Sequence, residues 1–128
     1  MIRDPLSGPP ERGMVRVRLM RGRDTSPYAE FQLSEADMAD RIRPEDRGTR
    51  RATVAYQAAE TARAGDASMG IGALAEVVLH SGARSLWIAA PWDWELLERR
   101  SAEGRLQRTR VATELESAHR EEEAQADR

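Results

Sequence analysis

The first clear pattern in the chain is an alternation of apolar and polar positions near the N-terminus. Val15, Val17 and Leu19 alternate with Arg16 and Arg18, and a second alternating stretch covers residues 28–33. Successive side chains of a strand point to opposite faces, so this period of two predicts half-buried strands. The residues between the two stretches are rich in turn-forming types. The sequence therefore predicts a β-hairpin with strands at 14–20 and 28–33.

The middle of the chain follows a helical period instead. Ser34, followed by acids, predicts the capped start of a short helix that ends before Pro44. An alanine-rich stripe predicts a second helix at about 50–64, with Gly65 as its C-cap. The strongest helical spacing comes next and predicts a helix at about 70–81 that ends at Gly82. Its apolar positions are Ile71, Leu74, Ala75, Val78 and Leu79.

The C-terminal third combines one short apolar run with a long charged stretch. Residues 85–90 favour a buried strand, and the same pattern also fits a helix. Pro91 suits the first position of a last helix that reaches about residue 122 and is weakened at Gly104.

Together these elements predict an α+β fold, in which an N-terminal β-hairpin is followed by a mostly helical domain with a long C-terminal helix. We expect a flexible lead-in at 1–13, a single small domain at 14–110 and a charged, partly solvated helical tail at 111–128.

Composition excludes several function classes. The 128 residues include no Cys, which rules out disulfides, zinc–thiolate sites and thiol catalysis. No apolar run is long enough to span a membrane, and the start of the chain lacks the apolar core of a signal peptide. A soluble cytoplasmic protein without membrane contact is therefore expected. All 20 basic residues are Arg, a bias typical of GC-rich coding, which suggests an accessory gene of a high-GC bacterium, its plasmid or its phage.

The net charge of −2 hides blocks of opposite sign. Residues 41–51 are basic between two acidic stretches, and the basic residues 99–110 are followed by the acidic residues 111–128. Such blocks attract one another as readily as they attract a polyanion. The uniformly basic footprint that is typical of nucleic-acid-binding domains is not present.

Gly70, Gly72 and Ala75 form a G-x-G-x-x-A motif. Together with the strand expected at 85–90 and with Asp93 after it, the motif locally resembles the first turn of short-chain dehydrogenases, over about 30 residues. In that family the glycines let the backbone approach a dinucleotide pyrophosphate at a helix N-terminus, and a residue after the second strand meets the ribose. The resemblance implies a partial dinucleotide-binding module. Close helix packing at the glycines is the alternative interpretation.

Residues with catalytic chemistry form no recognisable set. Glu76 and His80 are four positions apart on the predicted helix, where an ion pair at the surface is expected, and no third group can be placed beside them. The histidines and acids show no metal-ligand spacing, and motifs for a serine nucleophile or a phosphate loop are missing. We therefore expect a protein that is not an enzyme, with no catalytic residue, cofactor or metal.

The leading hypothesis is a non-enzymatic accessory protein that binds another macromolecule. Trp87, Trp92 and Trp94 fall within eight residues, and Arg99 and Arg100 follow them. Exposed tryptophans and arginines are frequent anchors of protein interfaces, although the tryptophans also fit a role in the core. These five residues are the predicted site for a protein partner or for self-association.

A DNA-associated regulator is the alternative hypothesis. An Arg-rich strand and the basic stretch after the short helix would then contact phosphate groups, with an affinity that falls steeply with salt. The residues predicted for this role are Arg16, Arg18, Arg50 and Arg51.

Overall fold

The structure, a computed structural model, describes residues 8–22, 27–66, 70–91 and 93–109. In this part of the chain six strands form one antiparallel sheet in the order β2-β1-β3-β4-β5-β6, and two short α-helices accompany it. The strands are β1 (Met14–Met20), β2 (Ala29–Ser34), β3 (Leu74–Leu79), β4 (Arg84–Ala89), β5 (Trp94–Arg100) and β6 (Leu106–Arg108). The helices are α1 (Glu35–Asp40) and α2 (Val54–Ala64), and between them lie two 3₁₀ turns, Pro44–Asp46 and Arg50–Ala52.

The predicted N-terminal hairpin is confirmed. β1 and β2 pair antiparallel, with Val17 opposite Phe31. Val15, Val17 and Leu19 are fully buried under the helices, because alternation along β1 sends all three to the same face of the sheet. The short helix that follows begins where expected, and the Ser34 hydroxyl accepts a hydrogen bond from the backbone N–H of the third helical residue.

The helix predicted at 50–64 is present from Val54 to Ala64 as α2. Residues 50–52 form a 3₁₀ turn instead, and Thr53 caps α2 by accepting a hydrogen bond from the N–H of Tyr56 at 3.2 Å. The buried stripe of α2 is Tyr56 and three alanines, which pack on β1 and β3. Small side chains on this stripe let the helix lie close to the sheet.

The helix predicted at 70–81 is wrong, because Leu74–Leu79 form the strand β3. This strand lies inside the sheet between β1 and β4. Leu74 and Val78 are buried on one face, and Ala75 and Val77 on the other. A strand buried on both faces shows no alternation, and here its apolar run also matched the spacing of a helical stripe. The β-branched valines favour the strand that is observed.

The prediction of a long C-terminal helix is also wrong over the described residues. Residues 94–100 form β5 and pair with β4, and the predicted strand at 85–90 is confirmed as β4. Leu, Glu and Arg favour helices in isolation, but the ladder with β4 and the burial of Trp94 and Leu97 outweigh that preference. Gly104, with a φ of 91°, lies in the turn before β6.

The fold class is therefore mostly β, and the mostly helical domain that was expected is not found in the described residues. The predicted tail at 111–128 and the first seven residues of the predicted lead-in at 1–13 lie outside the described residues.

The sheet has two unlike faces. One, the helix-covered face, carries the main core, which includes Val15, Val17 and Trp94 with the buried residues of α1 and α2. The other we call the open face; the residues that project there include Arg16, Val78 and Leu86. It carries a smaller apolar cluster to which neither helix contributes, formed by Leu74, Leu97, Met20, Leu86 and Ile88. Neither helix is long and apolar enough to cross a membrane.

Candidate partner-binding groove

A groove remains on the helix-covered face where α2 does not reach the last strands. It lies between the start of α2 and strands β4 to β6, and it encloses about 450 Å³. Cavities of this size accept a few side chains or a small molecule. The floor of the groove is apolar because four elements each contribute an apolar side chain, namely Ala55, Leu79, Trp87 and Leu96.

Trp87 is held in place from two sides. Its indole N–H donates a hydrogen bond to the Ser85 hydroxyl at 2.8 Å. The ring of Tyr56 meets it edge-on, with 5.9 Å between the ring centroids. These contacts fix the tryptophan ring and satisfy its only polar atom, so it presents an apolar wall to the groove.

The rim of the groove is cationic, with five arginines: Arg50, Arg84, Arg99, Arg100 and Arg105. Three of these, on β5 and on the turn after it, have no carboxylate within ion-pair distance in the part of the chain that the structure describes. Arg99 Nε donates to the Gln107 side-chain oxygen at 2.9 Å, and Arg100 Nη1 to the Gly104 carbonyl at 3.1 Å. Because none of these three arginines faces an acid among the described residues, their positive charges are available to an anionic ligand.

Arg50, another arginine of the rim, belongs to a cluster of side chains around Asp93. The Asp93 carboxylate accepts hydrogen bonds from Tyr56 Oη, Arg50 Nη2 and Arg51 Nη2, the last at 2.9 Å. The two arginines bind Oδ2, whereas Oδ1 accepts from Tyr56 and also from the backbone N–H of Trp94 at 2.8 Å. The cluster ties the start of α2 to the loop before β5, and thereby sets the width of one end of the groove.

Titration in this cluster follows from burial and hydrogen bonding. Burial acts to raise the pKa of Asp93, but the hydrogen bonds from Tyr56, from the Trp94 N–H and from Arg51 outweigh it, so the pKa of Asp93 lies below its ordinary value. Burial, and then the hydrogen bond to Asp93, raise the pKa of Tyr56. At neutral pH the cluster is therefore an ionised carboxylate with a neutral phenol.

The four residues predicted to contact DNA all face acids. Arg18 Nε is 2.9 Å from a Glu30 oxygen and Arg16 Nε is 3.8 Å from the same atom. Arg50 and Arg51 bind Asp93, and Arg50 also lies 3.2 Å from Glu95. The two pairs lie in separate regions, since Arg16 and Arg18 project from the open face. The structure does not bring these residues together as one phosphate-binding surface.

The residues predicted to bind a protein partner are divided by the structure. Trp87 is buried in the main core and also forms part of the groove floor, and Arg99 and Arg100 form part of the rim. Trp94 is fully buried in the main core beside α2, where it contributes to packing and not to an accessible surface. Trp92 lies outside the described residues.

The glycine motif has a different role from the one that the dehydrogenase resemblance implied. Gly72, with a φ of 88°, lies in a turn that leads into the strand β3, whereas the dehydrogenase motif needs a helix after its glycines. Asp93, the residue placed at the ribose by the resemblance, binds Tyr56 and two arginines. The arrangement that would hold a pyrophosphate at a helix N-terminus is thus missing at this turn.

The ion pair expected between Glu76 and His80 is also not formed as predicted. Four residues along a strand span about 13 Å, which is too far for an ion pair. His80 Nδ1 instead lies 2.9 Å from the Pro10 carbonyl oxygen. Within the described ranges no three His, Asp or Glu side chains gather in a way that could hold a metal ion.

Leu79, Leu96 and Ala55 were missed as members of the groove. Each belongs to a different element, and each was assigned to a core stripe or left out because nothing in its local sequence marks it as accessible. Only the pairing of β3, β4 and β5 places these residues side by side.

Comparisons with protein-family models, with curated proteins and with solved structures found no significant match to this chain.

Proposed function

We propose that the protein is a non-enzymatic interaction protein that binds a partner protein in the groove. The ligand is an acidic segment of that partner that also carries an apolar side chain. The observation that carries the proposal is the coexistence of an apolar floor with three arginines that lack an acid partner among the described residues, namely Arg99, Arg100 and Arg105.

Because the floor of the groove is apolar, we expect the ligand to carry an apolar side chain as well as a negative charge. An apolar side chain of the partner gains free energy when it leaves water and contacts Leu79, Trp87 and Leu96. The carboxylates beside it gain charge-assisted hydrogen bonds from Arg99 and Arg100, and a guanidinium at an interface binds a carboxylate with two parallel bonds. The apolar contact and the ion pairs are both needed for binding, because exposed ion pairs alone contribute little free energy.

Direct binding of a defined peptide tests the proposal. The probe is a fluorescein-labelled peptide of alternating leucine and glutamate, measured by fluorescence anisotropy against the purified full chain. Two comparison peptides have the same length; one carries serine in place of glutamate and the other serine in place of leucine. We expect the first peptide to bind more tightly than either comparison, and its affinity to fall as salt screens the charges.

A double variant identifies the site of binding. Arg99→Gln with Arg100→Gln is expected to weaken peptide binding by about tenfold or more, which corresponds to about 1.4 kcal/mol. Its matched control is Arg41→Gln with Arg47→Gln, which changes the net charge equally at exposed positions away from the groove. Equal weakening by both variants, or no binding of the leucine–glutamate peptide, would refute the proposal.

Labelled duplex DNA, measured in the same way, tests the regulator hypothesis. A salt-sensitive DNA affinity that is lost on changing Arg50→Ala and Arg51→Ala would support a regulator and would contradict a peptide-binding role for the groove.

A further inference from the structure

The open face of the sheet carries a buried arginine without adequate partners. Arg16 lies on β1 between Gln32 of β2 and Val78 of β3, and it is only 3% exposed. Its Nε and Nη2 atoms are buried and have no hydrogen-bond acceptor among the described residues. Glu30 is 3.8 Å from Nε, close enough for attraction but too far for a hydrogen bond.

Such an arginine needs an acceptor that the sheet itself does not supply. Burial, and then the nearby charge of Arg18, lower the pKa of Arg16, yet a guanidinium stays charged in proteins. A buried charge without hydrogen bonds is costly, so native structures rarely leave one unpaired. Val78, which pairs with Arg16, is also buried on this face, as are Leu74 and Leu97 further along the sheet, although neither α1 nor α2 packs there; Gln32, at the edge strand, is exposed. Something outside the two helices covers this face.

The charges on the open face identify what fits it. Side chains of residues that pair across antiparallel strands point to the same face. One row that crosses this face therefore runs Gln32, Arg16, Val78, Arg84, Arg100 and Leu106, and the next row runs Glu30, Arg18, Glu76, Leu86, Glu98 and Arg108. The two rows hold five arginines and three acids, so positive charge is in excess on the open face. Arg84 and Arg100 lie near the ends of their strands and also border the groove. Apolar side chains lie nearby in the cluster around Leu74 and Leu97. An occupant with both carboxylates and small apolar residues matches this surface.

We propose that residues 110–128 of the same chain dock on the open face, with the glutamates at 121–123 reaching Arg16. Positions 111–128 contain six acids and two arginines, together with Val111, Leu115 and several alanines. The other end of the chain is a poorer match, because residues 1–7 carry one arginine and one aspartate.

The place where this segment leaves the sheet supports the proposal. The last described residue, Thr109, is bound beside β5, where its N–H donates to the Leu97 carbonyl at 2.9 Å. Leu97 belongs to the apolar cluster of the open face. Its burial there follows from a β-bulge, since Leu86 pairs with Glu98 and Trp87 with Leu96, which leaves Leu97 as the extra residue.

The segment is also long enough to reach Arg16. From β6 to β1 there are four strand spacings, or about 19 Å at about 4.8 Å each. A helix of 13 residues spans about 19 Å, so residues 121–123 come level with β1, and an extended chain reaches it sooner.

Cross-linking of the full chain tests the docking. The protein has no native Cys, so two introduced cysteines are unique. The test variant is Gln32→Cys with Ala124→Cys, and the control is Glu60→Cys with Ala124→Cys, where Glu60 is exposed on α2 on the opposite side of the sheet. After treatment with a short bismaleimide at low protein concentration, we expect the 32–124 pair to form at least about fivefold more internal cross-link than the control, because a docked segment raises the effective concentration.

The charge pairing is tested in the same variant. Changing the glutamates at 121–123 to glutamine is expected to lower the 32–124 cross-link at least about twofold, as should a rise in salt. The far-UV circular dichroism of every variant confirms that the sheet is intact. Equal cross-linking of the 32–124 and 60–124 pairs overturns the proposal. So does a cross-linked product of twice the chain mass, which would mean that the segment docks on a second copy.

Discussion

Replacing Asp93 by Asn removes the charge at the centre of the cluster that joins α2 to β5, while it keeps the shape of the side chain. Asp93 is 14% exposed, and its partners Arg50 and Arg51 are 40% and 51% exposed. Exposed guanidinium groups are screened by water, so most of the effect comes from the hydrogen bond of the buried Tyr56 hydroxyl. A hydrogen bond to a charged group contributes about 1.5–3 kcal/mol and a neutral one about 0.5–1.5 kcal/mol. Asp93→Asn should therefore lower the free energy of unfolding by about 1–1.5 kcal/mol at pH 7.

The sign of the pH dependence follows from the lowered pKa of Asp93. A carboxyl group with a folded-state pKa below its unfolded value of about 3.9 stabilises the fold fully above about pH 5. That contribution is lost as the pH falls through the folded-state pKa. The stability gap between the natural chain and Asp93→Asn should thus be constant from pH 7 to about pH 5 and should shrink at lower pH.

This stability difference is measured by urea unfolding over the pH range in which both proteins fold. The unfolding is followed by tryptophan fluorescence and circular dichroism. Asp40→Asn is the matched control, because it makes the same charge change at an exposed residue at the end of α1. We expect the control to change stability by less than about 0.5 kcal/mol. Equal stability of Asp93→Asn and the natural chain at pH 7, or a gap that grows on acidification, would refute this account of the cluster.

Two further predictions concern residues whose roles were misjudged from the sequence. Gly72→Ala places a side chain at a φ of 88° and should cost about 1–2 kcal/mol in urea unfolding. Gly70→Ala, at a residue without positive φ and with open space around it, should change stability by no more than about 0.5 kcal/mol; equal effects would contradict the turn geometry. Trp94→Ala should lose about 3–5 kcal/mol because the ring is fully buried, whereas Trp94→Phe should lose clearly less, since it keeps a ring and removes an indole N–H that has no acceptor among the described residues. A folded Trp94→Ala that loses under about 1 kcal/mol would show that Trp94 is not core.

Signals that lie within a few residues of one another predicted their elements correctly. The alternation of Val15, Val17 and Leu19 marked β1, because one face of this strand is apolar throughout. The capping hydroxyl of Ser34 marked the start of α1, and the alanine stripe marked α2. Each of these signals acts through hydrogen bonds or side-chain contacts with nearest neighbours in the chain.

The later strands were missed for an identifiable reason. β3 is buried on both faces, so its residues carry no period of two, and β5 is composed of residues that favour helices. Hydrogen bonding within the sheet makes them strands. β3 pairs with β1, which is distant in the chain, whereas β5 pairs with its sequence neighbours β4 and β6, and this pairing outweighs the helical propensity of its residues. The residues of a single strand do not show which other strands it pairs with.

The sequence by itself determined the N-terminal hairpin, the start of α1 and the presence of α2, and it favoured a strand at β4 without excluding a helix. Only the tertiary structure decided that Trp87 and Trp94 are both buried in the core, with Trp87 also on the groove floor, and that Arg50 and Arg51 face Asp93 while Arg99 and Arg100 face neutral groups. The physical reason is that the accessibility and charge balance of a side chain depend on neighbours brought together by sheet pairing, and long-range pairing is not encoded in local periodicity.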